Sequence, residues 1–257
     1  MYKSHTPKDF KKYFGLPEDY KIDGVLSYGT WRKNEHKELL KEILIESGLR
    51  VEYEHLGESF LRDVLVFKIK GKRFWFEVGY GGAYISEIFH FGCMLGSRKN
   101  IMLGTCGGLL ETGKTGDIIL PTYSHGNEST TRMYKPNSKN NKHFSDRKLN
   151  KSLKRRLNNN LMVHEGPVIT CQAMLSESWE DVLEWSREGY LGVEMETSTV
   201  FAVSKHFNVP ASGVLVVADN LIKKETTLHG NYEKAKEARN KIRDLIYKIA
   251  LEELLED

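Results

Sequence analysis

Apolar positions along the chain fall into two periods, and their alternation predicts strands and helices in turn. Ile22 to Leu26 is a short apolar run that stops at Ser27-Tyr28-Gly29-Thr30. From Glu35 to Ser47, Leu39, Leu40, Ile43 and Leu44 share one helical face, and Gly48 supplies the stop. Val64 to Ile69 and Arg73 to Val78 flank Gly71-Lys72 and read as a hairpin. A helix follows over Tyr84 to Leu95, then a strand at Ile101-Met102-Leu103 running into a glycine cluster, and a second short strand over Asp117 to Pro121. Val168 to Thr170, a helix from about Val193 to Phe207, and the β-branched run Ser212 to Ala218 complete the middle of the chain. At the C-terminus Ala235, Ala238, Ile242, Leu245, Ile246 and Ile249 recur at helical spacing. The pattern predicts a three-layer α/β/α sandwich around a central mixed sheet, with a ligand site at the carboxyl ends of the strands.

One stretch breaks the pattern. His125 to Asn160 is polar and basic, centred on Asn137-Ser138-Lys139-Asn140-Asn141-Lys142, and residues 127–160 read as an exposed basic insert within a single domain spanning 1–257. The charge balance changes little else. With 38 Lys+Arg against 35 Asp+Glu, the net charge of +3 argues against a nucleic-acid or membrane-surface partner. No apolar run approaches the ~18 residues of a membrane span, and the N-terminus has no apolar core of a secretory signal. Three cysteines without a CxxC suggest neither a disulfide framework nor a metal site. The expectation is a cytoplasmic protein without metal or cofactor.

Three motifs could carry chemistry. In Gly104-Thr105-Cys106-Gly107-Gly108, glycines after a strand let backbone amides approach an anion or a sugar, and Thr105 adds a hydroxyl; a tight turn would use the same residues. In Gly192-Val193-Glu194-Met195-Glu196, two carboxylates sit at a predicted helix start, where the dipole favours them or where they accept bonds from vicinal sugar hydroxyls. Asp219 ends the strand Ser212 to Ala218, a position suited to a general acid and equally to an Asx turn.

In order and spacing, these motifs together with Gly79-Tyr80-Gly81-Gly82 and Gly116-Asp117-Ile118-Ile119 resemble the nucleoside phosphorylase and nucleosidase superfamily, of the hexameric purine nucleoside and uridine phosphorylase type. Methylthioadenosine/adenosylhomocysteine and AMP nucleosidases share that superfamily. The resemblance implies cleavage of the N-glycosidic bond of a small-molecule nucleoside. It places the ribose hydroxyls on Glu196, with Met195 against the sugar and Glu194 and His5 nearby. It makes Asp219 the proton donor to a purine, and sets Cys106, Gly107, Gln172 and Asp219 around the base. It further implies a homo-oligomer, either a dimer or a hexamer built as a trimer of dimers.

For the nucleophile, the resemblance implies inorganic phosphate as co-substrate, held by Gly29, Arg32, Lys33 and Thr105. The phosphorylases carry an arginine two residues before the Gly-Ser/Thr-Cys-Gly turn, where this chain has Met102. Losing one charge-assisted bond to phosphate costs roughly 1.5–3 kcal/mol. Phosphorolysis to free base and ribose 1-phosphate is put first. Hydrolysis by water is the alternative, and a non-catalytic nucleoside-binding protein the second.

Overall fold

The computed structural model describes residues 4–57, 60–126, 128–135, 139–157, 161–226 and 236–256. In chain order the first half holds α1 (Pro7–Tyr13), β1 (Gly24–Gly29), α2 (Lys33–Glu46), β2 (Val51–Glu54), β3 (Leu65–Ile69), β4 (Lys72–Gly79), α3 (Gly82–Met94) and β5 (Lys99–Gly108). Then come β6 (Ile118–His125), α4 (Ser129–Tyr134), β7 (Lys142–Phe144), α5 (Arg147–Arg156) and β8 (Val163–Thr170). The last third holds α6 (Trp179–Arg187), β9 (Gly192–Glu194), α7 (Thr197–His206), β10 (Ala211–Asn220) and α8 (Lys236–Leu255).

The strands form one sheet in the order β10-β6-β8-β9-β5-β1-β4-β3-β2, with β7 on β6 and β10 also paired to β5. Because β10 pairs with both β5 and β6, the strands β5, β10, β6, β8 and β9 close on themselves, and the rest extend from β5 as a wing. Parallel pairs (β1 with β4 and β5) and antiparallel ones (β5 with β9) make the sheet mixed, as expected. Alternating side chains of β1 serve two cores. Leu26 and Tyr28 pack with α2, α5 and α8, and Val25 packs with α3 and α7. The layers are α/β/α.

Three sequence expectations change. The helix predicted from Val193 begins at Thr197, because Val193 and Glu194 pair with β5 and β8 as a short strand. The glycine cluster after Leu103 is not a turn: β5 runs straight through it to Gly108. A Cβ at Gly107 would lie 2.6 Å from Leu221 Cδ1, and one at Gly108 2.9 Å from Val217 Cγ1. The missing side chains therefore admit close strand packing rather than an anion.

The basic insert is also more than an exposed loop. β7 extends the sheet along β6, and α5 buries Leu149, Asn150 and Leu153. Asn150 holds the Pro121 carbonyl at 2.9 Å, and Arg156 bonds Glu253 of α8 at 3.0 Å. Asn127, 136–138 and 158–160 of the insert lie outside the described residues, as does Ala235 of the C-terminal run.

Candidate active site

Four strand ends converge where β1, β4, β5 and β10 finish. Gly29 is in register with Gly79 on one side and Gly104 on the other. On β10 the register slips between Val217 and Asp219, a bulge that sets Asp219 opposite Gly107. Bulges re-aim side chains at strand ends, and this one decides where the Asp219 carboxyl stands. The Asx-turn role open to Asp219 is taken by Asn220 instead. Asn220 Oδ1 accepts from Lys223 N–H at 3.2 Å, and its Nδ2 donates to the Leu110 and Gly113 carbonyls at 2.8 Å each.

The two glutamates at the β9–α7 junction divide the work. Glu194 is buried and accepts from the Thr170 hydroxyl and from the N–H groups of Glu196 and Thr197, at 2.7 Å each for the two amides. It satisfies the open donors of the α7 N-terminus, so the fold consumes its acceptor capacity. Glu196 turns the other way. Its Oε1 accepts from Gly81 N–H at 2.6 Å, and its Oε2 sits where a Cβ on Gly29 would come within 2.3 Å. Only a glycine at 29 tolerates that approach. Burial and the neighbouring Glu194 charge push the Glu196 carboxyl up to about 8. Burial pushes Glu194 up as well, opposed by its hydrogen bonds from Thr170, Glu196 and Thr197. Met195 between them is half-buried.

The other predicted residues are placed as follows. Thr105 is exposed on β5, in register with Val216. The Cys106 thiol is buried, with burial holding it well above its usual range, and it faces the Val216 carbonyl at 3.9 Å. The Gln172 amide lies against α3 and α7, since a Cβ on Gly82 would fall 2.4 Å from its Nε2. Met102 fills the space beneath Gly29, its sulfur accepting from the Thr197 hydroxyl at 3.4 Å.

The predicted cations are engaged elsewhere. Lys33 Nζ lies 3.8 Å from Glu77 Oε1 and 4.2 Å from the centre of the Tyr84 ring. Arg32 pairs with Glu35 at 3.7 Å and stands over Trp31. His5 packs edge-on to Phe10 beside α1.

Sequence reasoning missed three contributors. Glu77 is a fully buried carboxylate on β4 that draws in Lys33 and Lys37, the latter at 3.4 Å. Tyr80, part of the Gly79-Tyr80-Gly81-Gly82 motif, has its hydroxyl held in the neutral form by burial and by the charges of Glu196 and Glu177. Glu177, on the segment leaving β8, is pushed up to about 7 by burial and by the charges of Asp219 and Asp181. No local pattern marks Glu177; it lies in a polar run of Ser and Glu. These couplings connect Glu196, Tyr80, Glu177 and Asp219 across one cleft.

A family model of the phosphorylase superfamily matches residues 50–255. The chain belongs to that superfamily, whose members include nucleoside phosphorylases and hydrolytic nucleosidases. It is 27% identical over 207 residues to a DeoD-type purine nucleoside phosphorylase of Bacillus thuringiensis (strain Al Hakam), covering 74% of this chain and 86% of that protein. In fold it is similar to uridine phosphorylase from Vibrio fischeri ES114, with a TM-score of 0.74 at 20% identity, covering 92% of this chain and 93% of the other. It is also similar to a futalosine hydrolase mutant of Helicobacter pylori strain 26695, with a TM-score of 0.65 at 17% identity, covering 90% of this chain and all of that one. The enzyme class is thus N-glycosidic bond cleavage. Among the described residues, no helix is long and apolar enough to cross a membrane.

Proposed function

We propose that the protein cleaves the N-glycosidic bond of a purine nucleoside, with Glu196 receiving the ribose hydroxyls and Asp219 protonating the departing base. One observation carries this reading: a buried carboxylate aimed at Gly29 stands across a single cleft from a second carboxyl at the end of β10. Glu196 has one oxygen held by Gly81 N–H, which orients the carboxylate before any sugar arrives. As the bond to the base breaks, positive charge develops on the ribose ring, and an ionised Glu196 on its hydroxyls stabilises it. The bonding electrons leave with the base, and a proton from Asp219 makes the base a better leaving group. Purine specificity is supported by the acid at 219 and by the name of the DeoD-type relatives.

At the nucleophile end the geometry favours water over phosphate. The apolar Met102 occupies the position under Gly29, while Lys33 and Arg32 spend their charge on Glu77 and Glu35. A dianion brought beside Glu196 would meet a carboxylate there, with the neutral donors Thr105 and Gly29 N–H as its partners. Phosphorolysis is the second reading, favoured by the relatives named as phosphorylases and by the exposed Thr105 hydroxyl. The sugar product separates the two. Incubated with adenosine or inosine, the protein is expected to release free ribose at a rate that changes less than ~2-fold on adding phosphate, where each charge-assisted contact would be worth ten-fold or more. Ribose 1-phosphate as product would establish the second reading.

Assembly as a homo-oligomer belongs to the same proposal. Trp31 and Tyr80, ring centres 5.5 Å apart, remain exposed beside the cleft, as does Phe60, and such aromatic surface is typical of subunit contacts. Light scattering on the purified protein is expected to give a dimer or a multiple of it; a monomer at micromolar concentration would refute this part.

A further inference from the structure

Two loops leave the sheet side by side at the base end of the cleft, and each carries a carboxyl. One follows β8 and runs from Cys171 to Ser178; the other follows β10 from Asp219. Several contacts hold them together. Cys171 N–H donates to the Glu194 carbonyl at 2.8 Å, and the Cys171 thiol donates to the Glu177 carboxyl. The Lys224 ammonium stands 5.0 Å from the centre of the Trp179 ring, bridging the loop after β10 to the start of α6. Glu177 is half-buried between these walls, while Asp219 is almost fully covered.

We propose that Glu177 and Asp219 act as one carboxyl pair that shares a proton, Glu177 being a positioning residue that keeps a proton available to Asp219. The inference rests on the reading of Asp219 as proton donor to the base. Two carboxyls in one water-poor recess do not both ionise near neutrality, because the second charge would face the first with little solvent between them. The groups facing Glu177 bear this out. Asp219 from β10 and Asp181 from α6 are acidic, the Cys171 thiol is itself held neutral by burial, and Tyr80 contributes a neutral hydroxyl. The nearby cation, Lys224, is committed to the Trp179 face. Glu177 is accordingly pushed up to about 7.

The step balances without any added reagent. The Asp219 carboxyl proton passes to a ring nitrogen of the base as the C–N bond breaks and its electron pair moves onto the base. The pair is left as two carboxylates, and one proton returns from solvent once the base departs. The pair thus resets the acid after each turnover.

The test compares wild type with Glu177→Gln, which keeps the side chain's size and an acceptor for the Cys171 thiol. The pH dependence of kcat for adenosine and inosine is measured from pH 5.5 to 9. Wild type is expected to lose activity as pH rises past the pair's upper titration step. Glu177→Gln removes the like charge, so its alkaline limb should fall on the order of one pH unit lower. A role in structure alone would lower kcat at every pH and leave the limb in place, and that result would overturn the proposal. Carbon-13 NMR titration of the carboxyls reads the same pair without turnover. Glu177→Gln should remove an upper titration step, and Asp219→Asn should lower the step that remains on Glu177. Should wild type release no base, the assigned reaction fails while this titration still decides the pair.

Discussion

Asp219→Asn is expected to lower kcat for a purine nucleoside by ~10²- to 10⁴-fold, the usual contribution of a positioned general acid, while KM changes less than about threefold. Asparagine nearly matches the size of aspartate, so the recess between Gly107 and the loop after β10 keeps its shape. The amide can still hydrogen-bond a ring nitrogen, which preserves binding, but it has no proton to give up as the base departs. An effect confined to turnover therefore identifies a group acting in the transition state. The chemistry sharpens the test further. A nucleoside with a leaving group that departs without protonation, such as a nitrophenyl riboside, should lose far less than adenosine in the same variant. Equal losses on both substrates, or undiminished turnover of adenosine, would show that the proton comes from elsewhere. The bulge before Asp219 matters here, because the register slip separates it from the Asx turn made by Asn220 and leaves its carboxyl to the cleft.

Much of this site was legible before the structure. Asp219 and the Glu194-Met195-Glu196 run stand out because acidic residues interrupt otherwise apolar strand and helix starts, where burial is costly without a purpose. What the residue order could not reveal is which glutamate faces the sugar. That depends on β9 ending at Glu194, so that Glu194 turns to the open amides of α7 while Glu196 crosses to Gly81. The glycines of β5 misled for a related reason. A glycine that admits a neighbouring strand and one that admits an anion look identical until the closure of β5 onto β10 and β9 is known.

Glu77 carried a readable signal, an acid within the apolar run Phe74-Trp75-Phe76-Glu77-Val78, yet its partners Lys33 and Lys37 come from a different element. Glu177 carried none, since its environment is built entirely by loops that meet in space. The helix α5 was hidden by its own charge: Leu149, Leu153 and Leu157 recur every four residues within a run of lysines and arginines that reads as solvated.

Glu196→Gln should separate the two demands on that carboxylate, losing activity while gaining stability in alkaline solution. In the folded protein the Glu196 proton is held up to about 8, against 4.5 for the group in an open chain. Between those values the folded state binds more protons than the unfolded one, so stability falls as pH rises from about 4.5 to about 8, and the cost is fully present above that range. At 1.36 kcal/mol per unit the difference is on the order of a few kcal/mol, part of it belonging to the adjacent Glu194. Glutamine carries no charge, and its oxygen can still accept from Gly81. The melting temperature of Glu196→Gln should therefore match wild type near pH 5 and exceed it by several degrees at pH 8.5. Turnover should fall on the order of 10²-fold or more, because a neutral amide neither gathers both ribose hydroxyls nor opposes the charge that develops on the ring. The sugar also explains why the fold keeps an unfavourable charge: two hydroxyl donors restore what burial removed, so nucleoside binding should stabilise wild type more strongly at pH 8.5 than at pH 5. A variant as active as wild type, or one whose extra stability is the same at both pH values, would mean that Glu196 neither holds the sugar nor carries a strained charge.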